Sequence, residues 1–183
     1  MKLLNISICV SKDERERIED FAVAVTKART AEYTRRLAAG VAKQQLDQVR
    51  GKIAEVAAYH LLKQAGKDPE YPDFQVWDGS TRRRKGHSAD IETPTANYGV
   101  KSVNANHKDP SWVFQKSDKL EDDAYLLFLV DEDHRHGQAT LKWVLSGSDI
   151  LEFAAPLRMN APSKHAVYDK NLSIAFDKSR DTK

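Results

Sequence analysis

Three charged residues of the sequence, Glu55, Asp90 and Lys101, could together carry out phosphodiester hydrolysis. That reaction needs carboxylates that hold a hard divalent cation, which neutralises charge on the phosphate and lowers the pKa of a bound water. It also benefits from an ammonium group that stabilises the attacking hydroxide or the pentacoordinate phosphate. Two carboxylates and a lysine supply these functions, and sparse oxygen ligation of this kind suits Mg²⁺.

The elements around these residues would have to bring them together. Ten residues separate Asp90 from Lys101, and Pro94 and Asn97 among them favour a turn, so two antiparallel strands could place the pair on one face. Glu55 falls in a helix predicted over 43–64, where apolar residues recur at helical spacing. A helix packed beside the sheet would direct Glu55 into the same cleft.

The rest of the chain predicts an α/β protein that begins with a strand and a helix over 11–37. The predicted strands are 3–10, 74–77, 89–92, 98–103, 124–130 and 138–145. The second to fourth of these would form a three-stranded meander. The run 124–130 is continuously apolar, which is typical of a strand covered on both faces, and 138–145 would be its antiparallel partner.

Shorter elements are predicted around this central pair. Pro110 and Ser111 favour the entry to a short helix through 112–114. Ser148 is predicted to cap a short helix that ends at Phe153. Residues 156–170 are expected to be irregular, and 172–176 are expected to add an edge strand.

The order of a helix with Glu, a strand with Asp and a strand with Lys resembles the PD-(D/E)XK nuclease superfamily. The resemblance covers residues 43–130, about half of the chain. It implies a restriction-endonuclease-like α/β core, in which helices flank a central mixed sheet in the order αβββαβ, with an additional N-terminal strand and helix. It also implies metal-dependent endonucleolytic cleavage of DNA, with Mg²⁺ as the cofactor and Mn²⁺ as a substitute.

The resemblance further implies a role for each candidate residue. Asp90 would be the first acid of the motif and a metal ligand, and Glu55 would be the additional helix acid and the second metal ligand. Lys101 would orient or activate the hydroxide. Gln115 is similar to a glutamine that is common after the third strand in relatives that cleave DNA, and it would assist catalysis.

Gly99 departs from the family's pattern, because the second acid of the motif is expected two residues before the lysine. Either Glu55 replaces that carboxylate, with Glu92 as a weaker substitute, or the activity has been lost. A protein of the second kind would be an inactive nuclease fold that binds DNA or a protein partner as a regulatory module. In a third alternative, Asp90 and Lys101 are an ordinary ion pair of small energetic consequence.

The charge distribution offers one candidate DNA contact. The net charge is only +2, so a nucleic-acid surface must come from local clustering, and Arg82, Arg83, Arg84 and Lys85 are the densest cluster. Such a run is often a solvated loop, but next to a metal centre it could neutralise phosphates without reading sequence. Lys116 is a further candidate for DNA contact.

Length and composition limit the remaining possibilities. We expect one nuclease-like domain over 1–183, with a core at about 43–145, an N-terminal addition over 1–42 and a C-terminal extension over 146–183. The only cysteine excludes an intramolecular disulfide and a zinc site built on several thiolates. The absence of a membrane-length apolar stretch or a signal peptide predicts a cytoplasmic protein. Duplex cleavage would need two subunits or two binding events, which makes a homodimer through the N-terminal helix a further expectation.

Overall fold

The computed structural model describes residues 1–33, 40–76, 89–115, 120–131, 137–156 and 164–181. Within those ranges the chain is a mixed α/β protein. Its helices are α1 (Lys12–Tyr33), α2 (Val41–Gln64), α3 (Gly147–Phe153) and α4 (Asp169–Asp181). Its strands are β1 (Lys2–Cys9), β2 (Ile91–Thr93), β3 (Ala96–Asn104), β4 (Ser111–Gln115), β5 (Ala124–Val130), β6 (Gln138–Leu145), β7 (Ala155–Pro156) and β8 (Lys164–Tyr168).

A five-stranded mixed sheet forms the centre of the fold, in the order β1-β6-β5-β3-β2. Strands β3 and β5 are parallel, with Val100 opposite Leu126, whereas the other neighbours are antiparallel. The apolar run predicted as a doubly covered strand is β5, and the antiparallel partnership with β6 is confirmed. Strand β5 lies in the middle of the sheet, where both faces are covered, and this explains why its apolar residues do not alternate with polar ones.

Apolar clusters cover both faces of this sheet. On one face, α2 packs across the strands through residues such as Ile53 and Val56, and α1 packs on α2. On the other face, Trp143 and Leu127 pack against a second sheet and against the flanking helices. That second sheet has three strands in the order β4-β8-β7. The central sheet is therefore the middle layer of the described fold.

The helix predicted through 112–114 is wrong, because these residues belong to β4 and pair with β8. Trp112 and Phe114 are buried, while Val113 between them is exposed, which is the two-residue period of a strand with one covered face. The αβββαβ order is therefore not followed in the described residues, since a strand of the second sheet stands where the second helix was expected.

Four further local predictions need correction. Residues 74–76 are not a strand, and Trp77 lies outside the described residues, so the predicted meander is reduced to the hairpin of β2 and β3. Residues 172–176 lie in α4 and not in an edge strand, and the segment expected to be irregular contains β8. The cap of α3 is Ser146, not Ser148, because the Ser146 hydroxyl accepts a hydrogen bond from the Asp149 amide.

The termini of the first two helices are close to those predicted. Helix α1 spans Lys12–Tyr33 in the described part of the chain, against a prediction of 11–37, and α2 begins two residues earlier than predicted. None of the helices described is long and apolar enough to cross a membrane.

Candidate active site

Asp90 lies immediately before β2, where its carboxylate is held by the neighbouring strand. The Val100 amide donates a hydrogen bond of 2.7 Å to Asp90 Oδ2, and Lys101 Nζ lies 3.7 Å from the same oxygen. The Asp90 side chain retains 35% of its accessible surface, and the residue precedes β2 instead of lying within the strand predicted over 89–92. The hairpin of β2 and β3 is what brings Asp90 and Lys101 together.

Glu55 reaches the same region from α2, which packs against the face of β3. Its side chain is only 22% exposed, and Oε2 accepts a hydrogen bond from Lys52, one turn earlier on the helix. Burial raises the pKa of Glu55 above its ordinary value, and the adjacent Lys52 ammonium opposes that effect. Asp90 raises the same pKa further and Lys101 lowers it, so both charges act on the Glu55 carboxyl group.

Each of the two carboxylates has one oxygen held by the protein. Asp90 Oδ2 faces the Val100 amide, and Glu55 Oε2 faces Lys52. Among the residues that the structure describes, Asp90 Oδ1 and Glu55 Oε1 have no hydrogen-bond partner. This arrangement leaves one oxygen of each acid available to a cation, as expected of ligands that the protein orients before binding.

A cleft of about 370 Å³ lies beside Asp90. One wall is formed by residues 70–73 and the other by residues 89–92. The two walls are joined by a hydrogen bond of 2.8 Å from the Glu70 amide to the Glu92 carbonyl oxygen. Glu92 is exposed and lines this cleft together with Asp90. The cleft is large enough to admit a phosphate group with its hydration, but its lining of carboxylates would disfavour a phosphate without a counter-charge.

Gly99 has a structural reason for lacking a side chain. A Cβ atom placed there would lie 2.6 Å from Asp122 Oδ2 and 2.6 Å from Tyr125 Cδ1. Both neighbours are buried, and the Tyr125 ring is also held edge-to-face against Phe114. The acid that the motif places at this position therefore has no space in the present packing, and Asp122 already contributes a carboxylate to that face of β3.

The donor set for a metal ion is sparse. In the described ranges no group of three or more His, Cys, Asp or Glu side chains is arranged to hold a cation. Asp90 and Glu55 together supply carboxylate oxygens alone, and Mg²⁺ is commonly bound through one or two carboxylates with waters and substrate oxygens completing the octahedron. The residues present therefore fit Mg²⁺ or Mn²⁺ better than zinc, which prefers nitrogen and sulfur ligands.

The remaining predicted site residues are Gln115 and the five candidate DNA contacts. Gln115 is the last residue of β4 in the second sheet, opposite Lys164, and its assisting role stays a prediction. The predicted DNA contacts Arg82, Arg83, Arg84, Lys85 and Lys116 lie outside the described residues.

Sequence inspection missed Lys52, a buried charged residue next to Glu55. Its ammonium donates to Glu55 and also to the Asp73 carbonyl oxygen at 2.8 Å. The sequence could have indicated that Lys52 is buried, because it lies on the apolar face of α2 between Val49 and Val56. A lysine at such a position requires a buried partner.

The 71–76 segment beside the cleft is attached to α1 through Glu14. Its Oε1 accepts hydrogen bonds from the Tyr71 hydroxyl at 3.1 Å and pairs with His60 Nε2 at 2.8 Å. Burial alone would raise the pKa of Glu14, but hydrogen bonds from Ser11 and His60 outweigh it, and the pKa is lowered from 4.5. Burial raises the pKa of Tyr71 to about 12, and the charge of Glu14 and the hydrogen bond to it act in the same direction.

Glu14→Gln is expected to lower the free energy of unfolding at neutral pH by about 1.5 kcal/mol, because charge-assisted hydrogen bonds are lost. A lowered carboxyl pKa stabilises the folded state above the unfolded-state pKa, and this stabilisation disappears as the pH falls through the folded-state pKa. The difference between wild type and variant should therefore be full at pH 7 and shrink below about pH 4.5. Urea unfolding at several pH values measures it, and a difference that does not change with pH would contradict the assignment.

Comparisons of the chain with protein-family models, with curated proteins and with solved structures found no match.

Proposed function

We propose that this protein is a metal-dependent DNA endonuclease with a restriction-endonuclease-like core. The observation that carries the proposal is the pairing of Asp90 with Lys101 together with the electrostatic influence of both on Glu55 of α2. Each of the two acids has one oxygen unengaged among the described residues. The polar cleft beside Asp90 offers a place for the scissile phosphate. The five-stranded mixed sheet and the packing of α2 on it are compatible with an α/β core, although β4 stands where the second helix of the proposed core was expected.

In the proposed mechanism, Asp90 and Glu55 would be the protein ligands of a Mg²⁺ ion. When bound, the ion would neutralise charge on the phosphate and lower the pKa of a coordinated water. Lys101 lies close enough to Asp90 to steady the attacking hydroxide or the phosphate through its ammonium group. The Val100 amide fixes the orientation of the Asp90 carboxylate, which keeps the ligand in place before the substrate arrives.

DNA binding in this proposal depends on positive charge supplied near the cleft. The described lining contains Glu70, Asp73, Asp90 and Glu92, whose repulsion of phosphate the metal ion would offset only in part. The cationic run Arg82–Lys85 precedes the Asp90 wall in the sequence and is the proposed source of the remaining attraction. Such contacts would not confer sequence specificity.

A second candidate function is an inactive nuclease-like protein that binds DNA or a protein partner. The observation that favours it is the small number of metal ligands: Gly99 replaces the expected acid, and no group of three potential ligands occurs among the described residues. In this case Asp90 and Lys101 would serve only as an ion pair. A measurement of metal binding distinguishes the active endonuclease from the inactive binding protein.

The first test is cleavage of supercoiled plasmid by the purified protein in the presence of Mg²⁺ or Mn²⁺. We expect nicked or linear product that depends on the added metal and disappears with a chelator. Calorimetric titration with Mn²⁺ accompanies the assay. Intact plasmid with both metals, together with no measurable Mn²⁺ binding, would overturn the endonuclease proposal and favour the binding module.

A further inference from the structure

Lys52 is a buried ammonium group that contacts both the candidate metal ligand Glu55 and a wall of the cleft. The residue is 9% exposed, which is rare for lysine unless it is paired. Its Nζ donates to Glu55 Oε2 and to the Asp73 carbonyl oxygen. The same nitrogen lies 5.0 Å from the centre of the Phe21 ring and 5.3 Å from that of Phe74.

We infer that Lys52 is a positioning residue of the active site, which orients Glu55 for metal binding and fixes the 71–76 segment beside the cleft. This inference rests on the proposed function. Lys52 binds Oε2 of Glu55 and leaves Oε1 without a hydrogen-bond partner among the described residues. A second contact, to the Asp73 carbonyl, ties the cleft wall to the same helix position.

The geometry restricts where the Lys52 ammonium can move. Two hydrogen-bond acceptors and two aromatic rings contact it, and the cation–π contacts with the rings stabilise the ammonium. The Phe74 ring is also contacted by Arg17, whose guanidinium carbon lies 4.3 Å from the ring centre. Because these neighbours belong to α1 and to the 71–76 segment, Lys52 cannot shift without disturbing both. Lys52 therefore restrains the orientation of the Glu55 carboxylate to which it donates.

Whether Lys52 strengthens or weakens metal binding depends on which oxygens of Glu55 it engages. A nearby cation repels a metal ion. However, a carboxylate that lacks its hydrogen-bond donor loses conformational entropy when it binds the metal, and this loss weakens the affinity. Hydrogen-bond partners of metal ligands generally favour binding, and their removal weakens affinity by about 10–100-fold. We expect the second effect to dominate here, because Lys52 engages only one oxygen of Glu55.

The test is a double-mutant cycle on Mn²⁺ affinity with Lys52→Met and Glu55→Gln. Methionine fills a similar volume without charge or donors. Lys63→Met on the same helix is the matched control, since Lys63 is exposed and contacts Tyr59 instead of the site. Calorimetry reports Mn²⁺ affinity, and circular dichroism verifies that each variant is folded.

We expect Lys52→Met to weaken Mn²⁺ binding about 10-fold or more when Glu55 is present, and to have no further effect when Glu55→Gln is already in place. Lys63→Met should bind like the wild type. An equal loss in both backgrounds, or no loss in either, would overturn the positioning role. If Lys52→Met does not fold, Lys52→Gln replaces it, and wild-type affinity in that variant would likewise overturn the inference.

The same titration separates the inference from the function on which it rests. Wild-type protein that binds no Mn²⁺ and cleaves no plasmid would overturn both. Wild-type protein that binds Mn²⁺ and cleaves DNA, with an unchanged affinity in Lys52→Met, would overturn only the role of Lys52.

Discussion

Asp90→Asn is expected to reduce metal-dependent DNA cleavage about a thousandfold, which corresponds to roughly 4 kcal/mol of lost transition-state stabilisation. The substitution keeps the size of the side chain, and its amide oxygen can still accept from the Val100 amide. It removes the negative charge that would hold the cation. Plasmid cleavage rates at saturating Mg²⁺, with Mn²⁺ affinity measured in parallel, determine the effect.

Asp109→Asn is the matched control for this experiment. Asp109 is also a partly exposed carboxylate that is paired with a lysine, at 2.7 Å from Lys170 Nζ, and it lies outside the candidate site. Its loss should leave cleavage and metal affinity unchanged, because a surface ion pair contributes about 1 kcal/mol or less to stability. Equal cleavage by Asp90→Asn and the wild type would remove Asp90 from the proposed mechanism.

Gly99→Ala is expected to lower the free energy of unfolding by about 2 kcal/mol, although alanine is ordinarily better than glycine in a strand. The new methyl group would lie 2.6 Å from both a carboxylate oxygen of Asp122 and the ring of Tyr125. Neither neighbour can move freely, because both are buried. Chemical denaturation of the purified variant measures the loss.

Gly51→Ala provides the comparison, since nothing lies within 4 Å of a Cβ atom at that position in α2. There the substitution should stabilise the protein by about 0.5–1 kcal/mol, as expected for replacing a glycine inside a helix. A stabilising effect of Gly99→Ala would show that the packing around β3 accommodates a side chain. By the same reasoning, Gly99→Glu restores the acid of the sequence motif but should lower the free energy of unfolding. It should not increase DNA cleavage.

Gly99 also shows how a sequence motif and a structure can give different information about the same position. In the sequence, the missing acid is a defect of the motif, and it leaves open whether activity has been lost. The structure adds that the position is sterically closed by Asp122 and Tyr125. A residue on one strand is thus constrained by residues that follow it by more than twenty positions, which no local pattern reveals.

The candidate site could be predicted in part. Asp90 and Lys101 are separated by the turn between β2 and β3, so their proximity follows from local hairpin geometry. Glu55 could be predicted only as a residue of a helix beside the sheet. Its ion pair with Lys52 was not predicted, although a lysine among the apolar residues on one face of a helix is unusual. The hydrogen bond from Lys52 to the Asp73 carbonyl oxygen joins segments far apart in the sequence and could not be predicted.

The sequence by itself determined the long helices, the apolar central strand and the β2–β3 hairpin, because helical periodicity, continuous apolar runs and turn residues act over short distances. Only the tertiary structure decided that residues 111–115 form a strand, because Trp112 and Phe114 are stabilised by pairing with β8 and by burial in the second apolar cluster. Only the tertiary structure likewise closed the space beside Gly99 and gave Lys52 its partners. Contacts between residues far apart in the sequence determine these features, and local propensity does not encode them.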